Sequence, residues 1–492
     1  MIGACITAIA VVLLWIDWLP LGVPGQWVWL RRAAAVLPSL AAAVAVGAAI
    51  GAGVLVLALV RSGGQPTRRI AAVLLAAILV ASLLAAVGLT ASDPGLWASG
   101  ALAIISDTSM GYYGQALSLS GVSDAFSYHS ARVASSRVPD RVRTHPPGPI
   151  IFFYMLRQWL EYAPGVIDWG ETALARRGIS PAQFHGIARG LTQAPISRRD
   201  VALAVPIAFI LSVLGAAVVL PAYGIGTVAF DRRTGLMAAL LAGTVPSLLH
   251  FVPSIDGIGA VLALTYLWLW MLAVRRGEVW LYTLAALGAT VMLLWSFGYA
   301  ILLVLAVIMA IPVWGQTYPD EMSRHLRGVA CGILVFATVH QLLSSGLEYN
   351  ILIALPASVA VHRQVLAAAG RSYWLWLPMN LYDFLLFMGP ALATMSVAAI
   401  CNGLKQQRWL ALPQGLVIGL LVIVALLLLS GSTRGEVGRI WVFLMPLAAL
   451  PVAYYVARLS DSRFVWVGAA LIGLQVCFTI VLHATLVPVY PF

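Results

Sequence analysis

Long apolar runs alternate with short polar, arginine-bearing stretches along almost the whole chain. A helix needs about 20 mostly apolar residues to cross the hydrocarbon core of a bilayer. On that rule the pattern predicts thirteen spans, near 2–19, 33–60, 70–91, 201–224, 235–252, 257–274, 279–296, 297–314, 329–345, 373–403, 410–430, 439–457 and 464–488. Residues 1–19 carry neither a basic leading stretch nor a small-residue cleavage site, so they read as a retained anchor. The expected fold class is all-α: a polytopic transmembrane helix bundle of about 13 spans, with a long outer first loop carrying interfacial helices.

One sizeable hydrophilic segment interrupts the pattern. Residues 92–199 hold seven acidic and ten basic residues and three histidines. Within them, 149–160 (PIIFFYMLRQWL) is apolar but too short to span, and reads as a helix in the interface or packed on the bundle. A second outer loop, 346–372, contains the apolar run 350–361, which fits a re-entrant or an interfacial segment. No internal repeat and no separate soluble domain is visible, which weakens a transporter built from inverted repeats.

Composition sharpens this picture. The 492 residues are 61% hydrophobic and only 10% charged, with a mean hydropathy of +0.95. Ordinary globular chains carry about 25% charged residues. A soluble enzyme, a disordered chain and a nucleic-acid-binding module are thereby excluded. The formal charge of +11 comes from 29 basic residues, all but Lys405 arginine. With a cytoplasmic N-terminus, the inner loops hold thirteen of them (Arg61, Arg68, Arg69, Arg232, Arg233, Arg275, Arg276, Arg324, Arg327, Lys405, Arg408, Arg458 and Arg463). The short outer loops hold six: Arg31, Arg32, Arg363, Arg371, Arg434 and Arg439. The positive-inside rule then predicts N-in, C-out, with 92–199 outside. Cys5, Cys331, Cys401 and Cys477 lie far apart in apolar runs and share no ligand spacing.

Three constellations on that outer side can carry chemistry. Asp107, in Ser106-Asp107-Thr108 ahead of Tyr112-Tyr113, suits a base for an incoming hydroxyl and equally a helix N-cap. Thr144-His145-Pro146-Pro147-Gly148-Pro149 fixes an extended backbone that either walls a site or returns the chain to the membrane. There His145 can bond a hydroxyl, and Arg141 and Arg143 can grip phosphate. The third, Arg434-Gly435-Glu436-Val437-Gly438-Arg439, is an anion clamp or a set of charges snorkelling to headgroups. Asp383 falls inside an apolar segment, Asp256 at a tight outer turn, and His250 and His340 within the bundle. A Gly-rich phosphate loop, HExxH, G-x-S-x-G and a D-x-D metal motif are all missing.

The order of these elements resembles the GT-C superfamily of polytopic glycosyltransferases, of the protein mannosyltransferase and aminoarabinose transferase type. An outer-loop acid before an aromatic pair (Asp107, Tyr112, Tyr113) precedes His145-Pro146-Pro147, and a helical bundle follows. The resemblance spans roughly 70–490, so 1–69 read as an additional helix pair and 70–492 as the catalytic module. It implies an inverting transferase that uses a polyprenyl-phosphate-linked sugar. The acceptor would be a glycan, lipid or protein on the non-cytoplasmic face of a prokaryotic membrane. Asp107 would be the base or acceptor-orienting group and His145 its catalytic neighbour. Tyr112, Tyr113, Arg141, Arg143, Asp256, Arg434, Glu436 and Arg439 would bind substrate. Relatives often carry two adjacent acids in the first loop, where this chain has Asp107-Thr108, and a bulky residue where it has Gly148. Dependence on a divalent metal is open on these grounds. A transporter or flippase of an anionic or lipid-linked substrate, with Asp383, Asp256 and the bundle histidines as a proton path, is the rival reading.

Overall fold

The computed structural model describes residues 1–32, 40–61, 65–92, 96–176, 178, 180–406 and 411–488. The start of the predicted span at 33–60, the first residue of the one at 410–430, and Arg408 lie outside the described residues. The protein is a polytopic, almost wholly α-helical membrane protein. Among the described residues eight helices are long and apolar enough to cross a membrane, or nine if the pair Tyr373–Met388 and Pro390–Lys405, bent by 109°, is one span. Four shorter apolar helices accompany them: Ile2–Trp15, Gly47–Val60, Val279–Trp295 and Val442–Ala457. The one sheet among the described residues is a two-stranded hairpin, Gly22–Val23 against Trp27–Val28.

Besides the predicted span 373–403, which is the bent helix pair, further segments differ from the pattern read in the sequence. The predicted span 235–252 is two helices, Arg232–Gly243 and Pro246–His250. Pro246 disfavours helical backbone at the residue before it, and Val245 is extended. In the loop 346–372, the helix runs over Ile351–Ala368, well beyond the apolar run 350–361.

Polar contacts sort the helix ends onto two faces. On one, Arg232 donates to the Pro66 carbonyl (3.1 Å), Arg233 pairs with Asp461 (3.3 Å), and Arg458 with Asp231 (3.4 Å). Arg275 donates to the Val228 carbonyl there, and the Tyr282 hydroxyl meets His325 Nδ1 at 2.8 Å. The other face gathers 17–32, 96–176, 180–199, 346–372 and 431–441. Ser127 donates to the Leu347 carbonyl (3.4 Å), Ser372 N–H to Gln26 (2.8 Å), and Arg141 pairs with Glu436 (3.3 Å). This second face is the loop face below.

Segment 92–199, in its described residues, is a chain of short helices, not a free domain. Its apolar stretch forms the helix Gly148–Glu161, opened by Pro149 in the first turn. Phe153 packs edge-on to Tyr113, and Phe152 to Trp295, fixing that helix on the bundle. Gly148 is demanded by contact: a Cβ there would lie 2.2 Å from the Leu294 carbonyl oxygen. The bulky residue that the resemblance leads one to expect has no room.

Candidate functional site

The Arg-Gly-Glu turn is shaped by backbone before charge. Gly435 has φ +101°, open to glycine, and Glu436 is left-handed at φ +60°. The helix Tyr373–Met388 holds this turn with two side chains one turn apart. Asn380 donates to the Thr433 carbonyl (2.7 Å) and accepts from Gly435 N–H (3.1 Å). Asp383 accepts from Gly438 N–H (2.7 Å) and from the Trp29 indole N–H (2.7 Å). Glu436 is thereby presented with its carboxylate toward Arg141.

Glu436 receives two guanidinium groups, Arg141 Nη2 at 3.3 Å and Arg439 Nη2 at 2.5 Å, both on the same oxygen. Arg439 also reaches Asp256 Oδ2 through Nε at 3.4 Å. Asp256 is set by Ser254, whose hydroxyl donates to Oδ2 (2.7 Å) and accepts from the Asp256 N–H (3.1 Å). Burial opposes the charge on Glu436, but Arg439, Arg141 and Arg371 outweigh it and hold its carboxyl below the usual range. Arg141 and Arg439 balance the two acids, and the field of Arg371 adds a further positive charge. The chain thus brings four of the sequence-selected residues, Arg141, Asp256, Glu436 and Arg439, into one ionic cluster. A cavity of about 20 Å³ adjoins it, lined by Asp256, Arg439, Ser247 and Phe251.

Two more selected residues flank the cluster. Tyr112 is buried, its ring 5.8 Å from His145, and burial pushes its hydroxyl pKa up while Arg141 pulls it back. His145 Nδ1 lies 2.7 Å from the Arg141 carbonyl, an acceptor only, so Nδ1 carries the proton and Nε2 is the acceptor nitrogen. Burial lowers His145 to about 4, leaving it neutral at pH 7.

The other four selected residues have different partners. Asp107 accepts from the Thr192 hydroxyl (3.0 Å) and the Gln193 N–H (2.8 Å). Tyr113 donates to the Asp200 carbonyl (2.9 Å), beside the Arg157–Asp200 pair. Arg143 donates to Val133 O (3.1 Å) and pairs with Asp140 (3.0 Å). Arg434 donates to the Arg371 and Gly431 carbonyls (2.7 and 3.3 Å) and lies over the Tyr373 ring.

Sequence reading did not select Arg371, Asn380, Tyr299 or His362. Arg371 donates back to the Arg434 carbonyl and lies over the rings of Trp27 and Trp376. Tyr299 presses its hydroxyl against Gly259, one helical turn beyond Asp256. His362 donates from Nε2 to the Ser432 carbonyl (2.7 Å). None of these sits in a motif; only the arginine count gave Arg371 any signal.

Among the described residues no group of three or more His, Cys, Asp or Glu side chains is placed to hold a metal ion. Asp256 and Glu436 already face guanidinium groups, so these residues do not fit a divalent cation. Against family models and against curated proteins, the chain matches none.

Proposed function

We propose that the protein is a membrane glycosyltransferase, moving a sugar from a polyprenyl-phosphate donor to a glycan, lipid or protein acceptor at the loop face. The observation that carries this reading is the ionic cluster of Arg141, Glu436, Arg439 and Asp256, with Arg371 adding a further positive charge to its field, beside Tyr112 and His145. Transfer from a lipid phosphate needs cations for the departing phosphate, and Arg141 and Arg439 offer planar donors for it. It also needs a groove for hydrocarbon. An apolar groove of about 450 Å³ runs along the helix Tyr373–Met388, lined by Ile6, Leu13, Leu19, Tyr382 and Leu385. The same helix holds the Arg-Gly-Glu turn.

Asp107 is the base or acceptor-orienting group in this reading. A carboxylate has about four acceptor sites. Thr192 and Gln193 take two, orienting the group and leaving capacity for a hydroxyl. His145, neutral, offers Nε2 to the acceptor. The thirteen-to-six bias of basic residues supports placing the loop face on the non-cytoplasmic side, with the N-terminus inside.

The test is transfer by the purified chain in nanodiscs from labelled polyprenyl-phosphate sugars. Sugar appearing on an acceptor, with loss of turnover in Asp107→Asn, supports the reading. Movement of labelled lipid across a proteoliposome without any transfer would replace it with the flippase reading.

A further inference from the structure

The helix Ile351–Ala368 is apolar and 18 residues long, enough by length and composition to cross a membrane. Its connections forbid that. Just before it, Ser127 donates to the Leu347 carbonyl, and Tyr349 packs its ring against Phe126 and His129 (5.5 and 5.3 Å), all on the loop face. Just after it, Arg371 and Arg434 exchange hydrogen bonds through their guanidinium and carbonyl groups, and Ser372 N–H donates to Gln26, again on the loop face. Its middle is held there too: Ser358 donates to the Arg143 carbonyl (3.1 Å) and His362 to the Ser432 carbonyl (2.7 Å). A helix of this length is roughly 27 Å long. Had it crossed, Arg371 would be among Arg232 and Arg458 on the opposite face.

Its depth follows from its neighbours. Only residues 348–350 separate it from the long helix Pro319–Leu347, and 369–372 from the helix Tyr373–Met388. Links of three or four residues reach no more than roughly 10–14 Å. Both ends therefore stay at the boundary where those two apolar helices leave the bundle, and the helix lies along it. Its two sides differ accordingly. Ala354, Ser358 and Val361 are buried against the loop face. Leu352 (80% exposed), Ile353 (64%) and Val359 point away from the protein, followed by exposed Arg363 and Gln364. Apolar side chains facing out at this depth, with a cation and an amide further along, match the boundary between hydrocarbon and headgroups.

We infer that Ile351–Ala368 is an interfacial helix that docks on the protein's own bilayer through Leu352, Ile353 and Val359. Its Ser358–His362 side meanwhile is fastened to the Arg143 and Ser432 carbonyls. The partner is a lipid surface, and the assignment holds whether or not the cluster binds phosphate.

The test has two arms, on a background with Cys5, Cys331, Cys401 and Cys477 replaced by serine. First, single cysteines at Ser345, Ala368 and Ser462 are treated with an impermeant thiol reagent in intact cells and in inverted vesicles. Ser345→Cys and Ala368→Cys should label from one side and Ser462→Cys from the other. Second, nitroxides at Leu352, Ile353 and Gln364 are compared in phosphatidylethanolamine–phosphatidylglycerol vesicles. The first two should be relaxed more by oxygen than by a water-soluble nickel complex, and Gln364 the reverse. Labelling of Ser345→Cys and Ala368→Cys from opposite sides makes the helix a span and overturns the proposal. So does preferential relaxation of Leu352 and Ile353 by the nickel complex, which puts that face in water.

Discussion

The two faces of the bundle both bind their loops together with arginine–carboxylate pairs, yet the pairs are built differently. On the face opposite the loops, Arg233 meets Asp461 and Arg458 meets Asp231, one cation to each acid, with Asp461 56% exposed. Those arginines also lie over Phe464 and Tyr454, and Asp231 caps the helix Arg232–Gly243 through Thr234 N–H. Everything there is accounted for by closing loops. On the loop face, two guanidinium groups converge on one oxygen of Glu436, a third arginine adds to its field, and the turn carrying it is held by Asn380 and Asp383. An ion pair is not a site by itself. Convergence, burial and surplus charge, held by a rigid second layer, distinguish this cluster from a loop clasp.

The largest expected difference between the faces is in turnover. Asp107→Asn keeps size and removes charge, so transfer should fall by about 10²–10⁴ with the thermal midpoint nearly unchanged. Near-normal transfer by this folded variant would reduce Asp107 to a fastener of the 191–193 turn. Stability comes next. Glu436→Gln leaves Arg141 and Arg439 facing each other without their shared acid and should cost about 1.5–3 kcal/mol. Asp461→Asn, at an exposed pair, should cost less than about 1 kcal/mol. Equal costs in denaturant titrations would erase the distinction between the clusters.

Within the loop face, Arg434 separates from its neighbours. Its hydrogen bonds go to backbone carbonyls, so Arg434→Lys should cost about 1 kcal/mol of stability and leave donor affinity at the parental level. A loss of affinity without a loss of stability would return Arg434 to the clamp. The last effect is on pH. Burial lowers His145 to about 4, and burial with Arg132 does the same to His129, against a usual 6.5. The folded state binds fewer protons than the unfolded chain between those values. This contribution is therefore intact above pH 6.5 and is lost as the pH falls toward 4. His145→Asn keeps a donor for the Arg141 carbonyl and should flatten that decline in thermal midpoint. An unchanged slope would contradict the burial argument.

The bundle was legible because twenty-residue apolar runs admit little else, and the loop-face charges stood out against so apolar a chain. The break at Val245-Pro246 was visible as a proline but not as a helix end, since proline inside membrane helices is common. Pairing was the illegible part. Arg141 lies 295 residues from Glu436, and nothing local tells it from Arg143, which turns to Val133 and Asp140 instead. Asp107 shows the same limit: its two donors sit 85 and 86 residues away. The helix Ile351–Ala368 has the composition of a span, and only the partners of Leu347 and Arg371 reveal that it returns to the face it left.

Affinity for a short-chain polyprenyl phosphate, measured in nanodiscs on the parent, Arg141→Lys, Arg439→Lys and Arg458→Lys, tests the central claim most directly. Lysine keeps the charge and loses the planar pair of donors. The account predicts roughly tenfold or weaker binding, about 1.4 kcal/mol, for Arg141→Lys and Arg439→Lys, with Arg458→Lys equal to the parent. Parental affinity in both loop-face variants, with all the proteins equally stable, would contradict it and leave the cluster a clasp like the one on the opposite face.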